Sequence, residues 1–251
     1  WGDNAQGQLG LGDTRDRAVP QRVPGLSGVA DVCSGGAHAC AALLDGTVRC
    51  WGDNRLGQLG VGESGVRARE PSPVEVPDLA GVTELACGAQ HTCAVADGAL
   101  RCWGDNGNGE TGQDPASAGD VVDTPTPVGA AALEPPTVLT AGGFDIVVDQ
   151  AGLTCAASAT ERLHCFGTNA GGLLGTGGGP PAGSSEPRPV ANLRDAVVDA
   201  DVGPGHGCAI DADGGGERRV LCWGRGDRGQ LGNALTENRD APVAVFQFGG
   251  S

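Results

Sequence analysis

The stretch Trp51-Gly52-Asp53-Asn54-Arg55-Leu56-Gly57-Gln58-Leu59-Gly60 decides how the whole chain is read. An aromatic residue is followed at once by a Gly, which lets backbone pass closely. Two residues on stands an Asn, which tolerates the left-handed conformation of a tight turn. The same order opens the chain at Trp1-Gly2-Asp3-Asn4 with Gly7-Gln8-Leu9-Gly10, and returns at Trp103-Gly104-Asp105-Asn106 with Gly109-Glu110-Thr111-Gly112. A fourth copy is Phe166-Gly167-Thr168-Asn169 with Gly172-Leu173-Leu174-Gly175, and a fifth is Trp223-Gly224 with Gly229-Gln230-Leu231-Gly232. Self-similarity at a fixed spacing of about 50 to 60 residues marks a repeat architecture.

Three further elements recur in the same order. Pro-Val or a near variant follows each copy, as in Pro73-Val74, Pro127-Val128, Pro189-Val190 and Pro242-Val243. Next comes Gly, then His, then Cys: Gly35 to His38 and Cys40, Gly88 to His91 and Cys93, Gly203 to His206 and Cys208. One copy is degenerate, with Leu153 in the His position before Cys155. A second Cys stands directly before the next aromatic, at Cys50, Cys102, Cys165 and Cys222. Between these marks lie short apolar runs such as Cys40 to Leu44 and Val82 to Ala86, separated by Gly, Pro or Asp-Gly, with no helical period. About four short strands per unit is the content of one propeller blade.

The series Trp-Gly-x-Asn, Gly-Gln-Leu-Gly, Pro-Val, Gly-x-x-His, Asp-Gly resembles the regulator-of-chromosome-condensation repeat, over nearly the whole chain. The resemblance implies an all-β fold, a β-propeller, commonly of seven blades. We divide the chain as one repeat domain with units 1–50, 51–102, 103–165 and 166–222 and a half unit 223–251. The chain starts at Trp1 and holds no Met, so we expect a processed or excised end and a part of a larger propeller. The aromatics Trp1, Trp51, Trp103, Phe166 and Trp223 are expected to pack between blades. His38, His91 and His206, one per unit at one motif position, are expected to hydrogen-bond a neighbouring turn rather than ligate metal.

Eight of the 10 cysteines form four pairs that bracket hairpins: Cys40 with Cys50, Cys93 with Cys102, Cys155 with Cys165, Cys208 with Cys222. A two-residue turn at Asp97-Gly98 pairs Ala96 with Ala99, and counting outward sets Cys93 against Cys102, within disulfide reach. The other pairs need slightly longer turns, at Asp45-Gly46, at Ala159 to Glu161 and through Gly214 to Gly216. Four such coincidences in register point to four hairpin disulfides and an oxidising compartment: secreted, periplasmic or cell-surface. Cys33 and Cys87 are offset by one position against their repeats, seven and six residues before Cys40 and Cys93. That offset turns them to opposite faces of a strand, so both are expected to be buried free thiols.

The formal charge is −15, all 16 basic residues are Arg, and they are scattered, which disfavours a nucleic-acid partner. No apolar run reaches membrane-spanning length. The sequence shows no nucleophile elbow, phosphate loop or Cys-x-x-Cys, and Asp211 to Asp213 before Gly214 lacks the downstream spacing of a calcium loop. No cofactor or metal is therefore expected, and no enzyme. The variable loops are acidic and Pro- or Gly-rich: Asp114 to Thr126, Ala130 to Gln150 and Thr176 to Pro187. Their candidate contact residues are Asp114, Asp120, Asp123 and Glu186, with Asp213 at a hairpin tip. The favoured reading is a secreted or surface protein-interaction scaffold. The alternatives are a proteinaceous inhibitor of a secreted enzyme, weakened by 3% aromatic content, and a guanine-nucleotide exchange factor for a small GTPase. An ultraviolet sensor of this family would need clustered Trp, whereas the four Trp here are spread along the chain.

Overall fold

The computed structural model describes every residue except 63, 65–67, 130–132, 134–135, 147–148, 159–161, 179–181, 195, 213–214 and 247–251. The described strands form four sheets, each four-stranded and antiparallel, with the strands in chain order. The first sheet is β1 (Val29–Ser34), β2 (His38–Leu43), β3 (Val48–Asp53) and β4 (Arg69–Glu75). The second is β5 (Val82–Cys87), β6 (His91–Ala96), β7 (Ala99–Asp105) and β8 (Val121–Pro127). The third is β9 (Pro136–Ile146), β10 (Asp149–Ser158), β11 (His164–Thr168) and β12 (Gly183–Pro189). The fourth is β13 (Ala196–Val202), β14 (His206–Ala212), β15 (Arg218–Gly224) and β16 (Arg239–Ala244). The fold is all-β, and each sheet is a blade. A unit counted from aromatic to second Cys straddles two blades, since Trp51 lies in β3 and Cys102 in β7.

The apolar core lies between blades, in three clusters. One joins Cys40, Val48 and Leu59 to Leu85, Ala94 and Trp103; the next joins Val95 and Leu100 to Leu139 and Phe166; the last joins Leu153 and Leu174 to Leu221 and Trp223. Side chains alternate across a strand. In β6, Ala94 and Ala96 therefore enter the cluster shared with the first blade, while Cys93 and Val95 enter the one shared with the third. Both faces are covered, so every residue of β6 is buried, and Cys93 to Ala96 read as an unbroken apolar run. β14, in the last blade, alternates buried with half-buried residues instead.

The Gly after each aromatic is needed for geometry. Gly52 and Gly104 have φ of 105° and 111°, and a Cβ there would stand 2.7 and 2.6 Å from the Cα of His38 and His91. The β3–β4 register shifts between Cys50 and Gly52, and the corresponding pair in every other blade shifts at the same place. A bulge of this kind bends the strand and re-aims the aromatic beside it.

Five disulfides are present and no cysteine is free. Four close hairpins, 40–50, 93–102, 155–165 and 208–222. At Asp97 and Gly98, φ is 49° and 79°, and the register sets Ala96 against Ala99 and Cys93 against Cys102. The turn at 159–161 and the tip at 213–214 lie outside the described residues. The fifth bridge corrects an expectation: Cys33 and Cys87 are joined, not free. Cys33 belongs to β1 and Cys87 to β5, the innermost strands of adjacent blades. Two facing sheets meet through opposite faces, so the one-residue offset that would forbid a bridge within one blade is what a bridge between blades requires.

Trp103 is fully buried, so removing its ring empties space at the core of a blade junction. Trp103→Ala should cost about 3–5 kcal/mol. Trp103→Phe keeps most of the ring and loses one buried N–H bond, and should cost about 1–2 kcal/mol. Urea unfolding monitored by circular dichroism reads both.

Candidate functional site

The repeated motif builds one latch per blade junction. The side-chain oxygen of Asn54 accepts from Leu59 N–H at 3.1 Å, and Gln58 Oε1 accepts from Leu56 N–H at 2.9 Å. Asn4 with Leu9 and Gln8 with Gln6 repeat the arrangement, both at 2.9 Å. None of these Asn residues has positive φ, so Asn serves as an acceptor and not, as expected, for its tolerance of the left-handed region. The loop so fixed presents the Gln58 carbonyl to the next blade. There it accepts from Trp103 Nε1 at 3.0 Å and from Thr92 Oγ1 at 2.9 Å. Trp51 Nε1 donates to Gln8 O at 2.9 Å and Trp223 Nε1 to Leu173 O at 2.8 Å. Gly10, Gly60 and Gly175 lie under these rings, where a Cβ would come within 2.9 Å of the indole nitrogen. Each of the three Trp thus occupies its own junction. Trp1 does not: it is 73% exposed, on the segment before β1 that the Gly2–Arg17 bridge holds at the edge of the array.

The histidines complete the latch. His38 Nε2 lies 2.9 Å from Thr92 Oγ1, and His91 Nε2 lies 2.8 Å from Thr154 Oγ1. Each Thr spends its only proton on a loop carbonyl, Thr92 on Gln58 and Thr154 on Glu110. His Nε2 must therefore be the donor, and Nδ1 carries no proton. Burial holds His38 down to about 4 and His91 to about 3, so both are neutral. The degenerate copy is explained at the junction of the third and fourth blades. Leu153 replaces His there, and the position after His206, Thr in the two preceding blades, is Gly207. A Cβ on Gly207 would stand 2.7 Å from the Trp223 ring, so both partners of the polar bridge are exchanged together. His206 is half-buried on the last blade, and its carbonyl accepts from Gly203 N–H at 2.9 Å.

Glu110 takes the Gln position at the second-to-third junction, and the sequence reading undervalued it. It is fully buried; Oε2 accepts from Asn108 N–H and Oε1 from Asn108 Nδ2, both at 2.8 Å, and Oε1 also accepts from Gly152 N–H at 3.2 Å. Burial first, then the nearby Asp105 carboxylate, pushes its carboxyl up to about 7. In the segment before β1, Gln8 Nε2 donates to Asp3 at 2.6 Å, so Glu110 exchanges a donor for a second acid.

Beside this junction lies an open cleft of about 810 Å³ between the second and third blades, lined by Asn108, Gln113, Asp114, Ser185, Glu186 and Arg188 among others. Asp114 caps the short helix α1 (Pro115–Ala118) by accepting from Ala116 N–H at 3.0 Å. Arg188 pairs with Glu186 at 3.0 Å and donates to Ser184 Oγ at 3.2 Å. Asp114 and Glu186 are thus brought together, while the other candidates fall elsewhere. Asp123 sits against the loop of the preceding blade, accepting from Ser64 Oγ at 3.2 Å, and Asp120 is exposed where its carbonyl receives Asn106 N–H. Asp213 lies outside the described residues. Asp211, fully buried, is engaged by Arg219 and by the N–H of Arg194, in the loop before β13. A smaller hollow of about 270 Å³ lies where the inner strands and turns of the four blades meet, lined by Gly35, Gly88, Gly142, Gly203 and Cys87 among others.

The model of the regulator of chromosome condensation (RCC1) repeat matches residues 1–42, 45–95 and 219–251, and a second model of that repeat matches 29–58 and 82–110. The chain belongs to the RCC1 repeat family. It is 32% identical to Ultraviolet-B receptor UVR8 of Arabidopsis thaliana, over 98% of this chain and 52% of that protein. It is 29% identical to RCC1 domain-containing protein RUG3, mitochondrial, of the same plant, over 98% and 53%. Probable E3 ubiquitin-protein ligase HERC6 of Homo sapiens is 41% identical over 46% of this chain and 12% of its own. In fold, the chain is similar to yeast RCC1 (Prp20) as bound to Kap60, with a TM-score of 0.78 at 19% identity over 94% of this chain and 53% of that one. Human WBSCR16 gives 0.75 at 20% identity over 98% and 61%. The chain spans about half the length of the curated plant relatives it matches. No described helix is long and apolar enough to cross a membrane.

The two kinds of buried group have opposite pH signatures. Glu110 has a raised folded value, so its stability contribution is full below about pH 4.5 and is lost as pH rises through about 7. His38 and His91 have depressed values, so theirs is full above about pH 6.5 and is lost as pH falls toward 4 and 3. The Tm should therefore peak in mildly acidic solution. Glu110→Gln should add about 1–3 kcal/mol at pH 8 and nothing at pH 4.5, as read by thermal melts across that range.

Proposed function

We propose that the protein is a non-catalytic protein-interaction scaffold of an oxidising compartment, secreted, periplasmic or at the cell surface. Its partner would dock in the cleft between the second and third blades. The observation that carries the reading is that cleft itself, where the divergent acidic loop at Asp114 meets the outer strand bearing Glu186 and Arg188 on a latched frame. Loops on a rigid scaffold are the usual seat of recognition. The charge of −15 favours a partner with a basic face and disfavours nucleic acid. Five disulfides support the compartment, and they weigh against an exchange factor acting in a reducing cytosol or nucleus. The low aromatic content weighs against a tight enzyme inhibitor, whose interface would centre on aromatic anchors.

A photo-cross-linking residue at Gln113, in cells making the protein, should trap one discrete partner. The double variant Asp114→Lys/Glu186→Lys should cut the trapped yield at least tenfold while circular dichroism shows the protein still folded. Equal trapping from a control position at Arg15, or a yield untouched by the double variant, would overturn the cleft as the docking site.

A further inference from the structure

We infer that Cys33, Cys40, Cys50 and Cys87 form a thiol–disulfide exchange site, at which an external dithiol unclasps the first blade from the second. In every blade the hairpin disulfide joins directly opposed residues of the two middle strands, and the innermost strand adds a third residue to that cross-strand row. The row is Ala86, Cys93, Cys102 in the second blade, Thr140, Cys155, Cys165 in the third, and Asp201, Cys208, Cys222 in the fourth. Only in the first blade is the third member a cysteine: Cys33 opposes Cys40, which opposes Cys50. Opposed residues of antiparallel strands project from one face, so Cys40 has a cysteine neighbour on either side. Cys87 reaches the same place from the second blade, and the sulfurs of Cys33, Cys40 and Cys87 lie within 4.8 Å of one another. Access differs along the row. Cys33 is half-buried, Cys87 lines the hollow where the inner strands and turns meet, and Cys40 and Cys50 are fully buried. Cys33–Cys87 is also the only disulfide between blades; the other two junctions hold without one.

Opening begins at Cys33, the least buried residue of the row. A thiolate of the dithiol attacks Cys33 Sγ, the Cys33–Cys87 bond breaks, and Cys87 leaves as a thiolate. The second thiolate of the reagent resolves the mixed disulfide, so the reagent is oxidised, the protein gains two electrons, and Cys33 is released as a thiolate. Cys33 then attacks Cys40 Sγ; the Cys33–Cys40 bond forms, the Cys40–Cys50 bond breaks, and Cys50 leaves as a thiolate and takes a proton from water. The end state staples β1 to β2, carries thiols at Cys50 and Cys87, and has no covalent tie between the first two blades. The inference does not depend on the partner proposed above.

The test is limited reduction of the folded chain with dithiothreitol, with Trp fluorescence monitored to show that it stays folded. Alkylation in acid and non-reducing peptide mapping follow. The first two-thiol species should carry label on Cys50 and Cys87 and yield a Cys33–Cys40 linked peptide. It should form at least about tenfold faster than the fully buried Cys93–Cys102 and Cys155–Cys165 bridges open. In Cys40→Ser/Cys50→Ser the labels should move to Cys33 and Cys87. A persistent two-thiol species labelled at Cys33 and Cys87 with Cys40–Cys50 intact would overturn the exchange. Opening of the buried hairpin bridges at the same rate would overturn the site's selectivity.

Discussion

Each blade leans on its neighbour at a backbone carbonyl of the repeated loop. Gln58 O receives the indole N–H of Trp103 and the hydroxyl of Thr92, and that hydroxyl in turn receives His38 from the blade before. Four buried polar groups from two blades are thereby satisfied at one point. A buried polar group left unpaired costs about 1–3 kcal/mol, so the latch fixes how the sheets meet more sharply than apolar contact alone. The Asn, Gln and Gly residues of the motif aim that carbonyl, and the Trp, His and Thr residues answer it. The apolar clusters sit beside the latches, between blades rather than within them.

The junctions are variations on this one interaction. At the second-to-third junction the ring is Phe166, which has no N–H, and the Glu110 carbonyl keeps only the Thr154 hydroxyl, while the Glu110 carboxyl accepts Gly152 N–H from the third blade. At the third-to-fourth junction the His–Thr bridge is replaced by Leu153 and Gly207, with Trp223 packed into the space a Thr would fill. The first-to-second junction alone adds the Cys33–Cys87 bond. Departures from the repeat thus fall at contacts between blades, and the cleft with its acidic loop lies next to one of them.

Much of this was legible in the sequence because the repeat is frequent and its turns are chemically explicit. Asp97-Gly98 fixes one register by simple counting, and the bracketing cysteines fix the others. The motif position suggested that these His residues meet a neighbouring turn, whereas His38 and His91 meet a strand Thr of the next blade. What escaped was everything that depends on two blades at once. The offset of Cys33 and Cys87 was measured along a strand, where it forbids a bridge, although the relevant geometry is that of two facing sheets. Glu110 looked like a lapse from Gln, and only burial against Asp105 shows what the exchange costs. That Asp114 and Glu186 line one cleft has no sequence signal, since the two residues belong to different repeats.

The central claim is an oxidised frame whose blades are each stapled within and whose first two are joined covalently. Non-reducing peptide mapping of the protein as its own host makes it, with free thiols blocked at lysis, tests this most directly. The account predicts five linked pairs, 33–87, 40–50, 93–102, 155–165 and 208–222, and no alkylated cysteine. Ten alkylated cysteines, or thiolate-bound zinc in place of the bridges, would contradict it and move the protein, with its partner, to a reducing compartment.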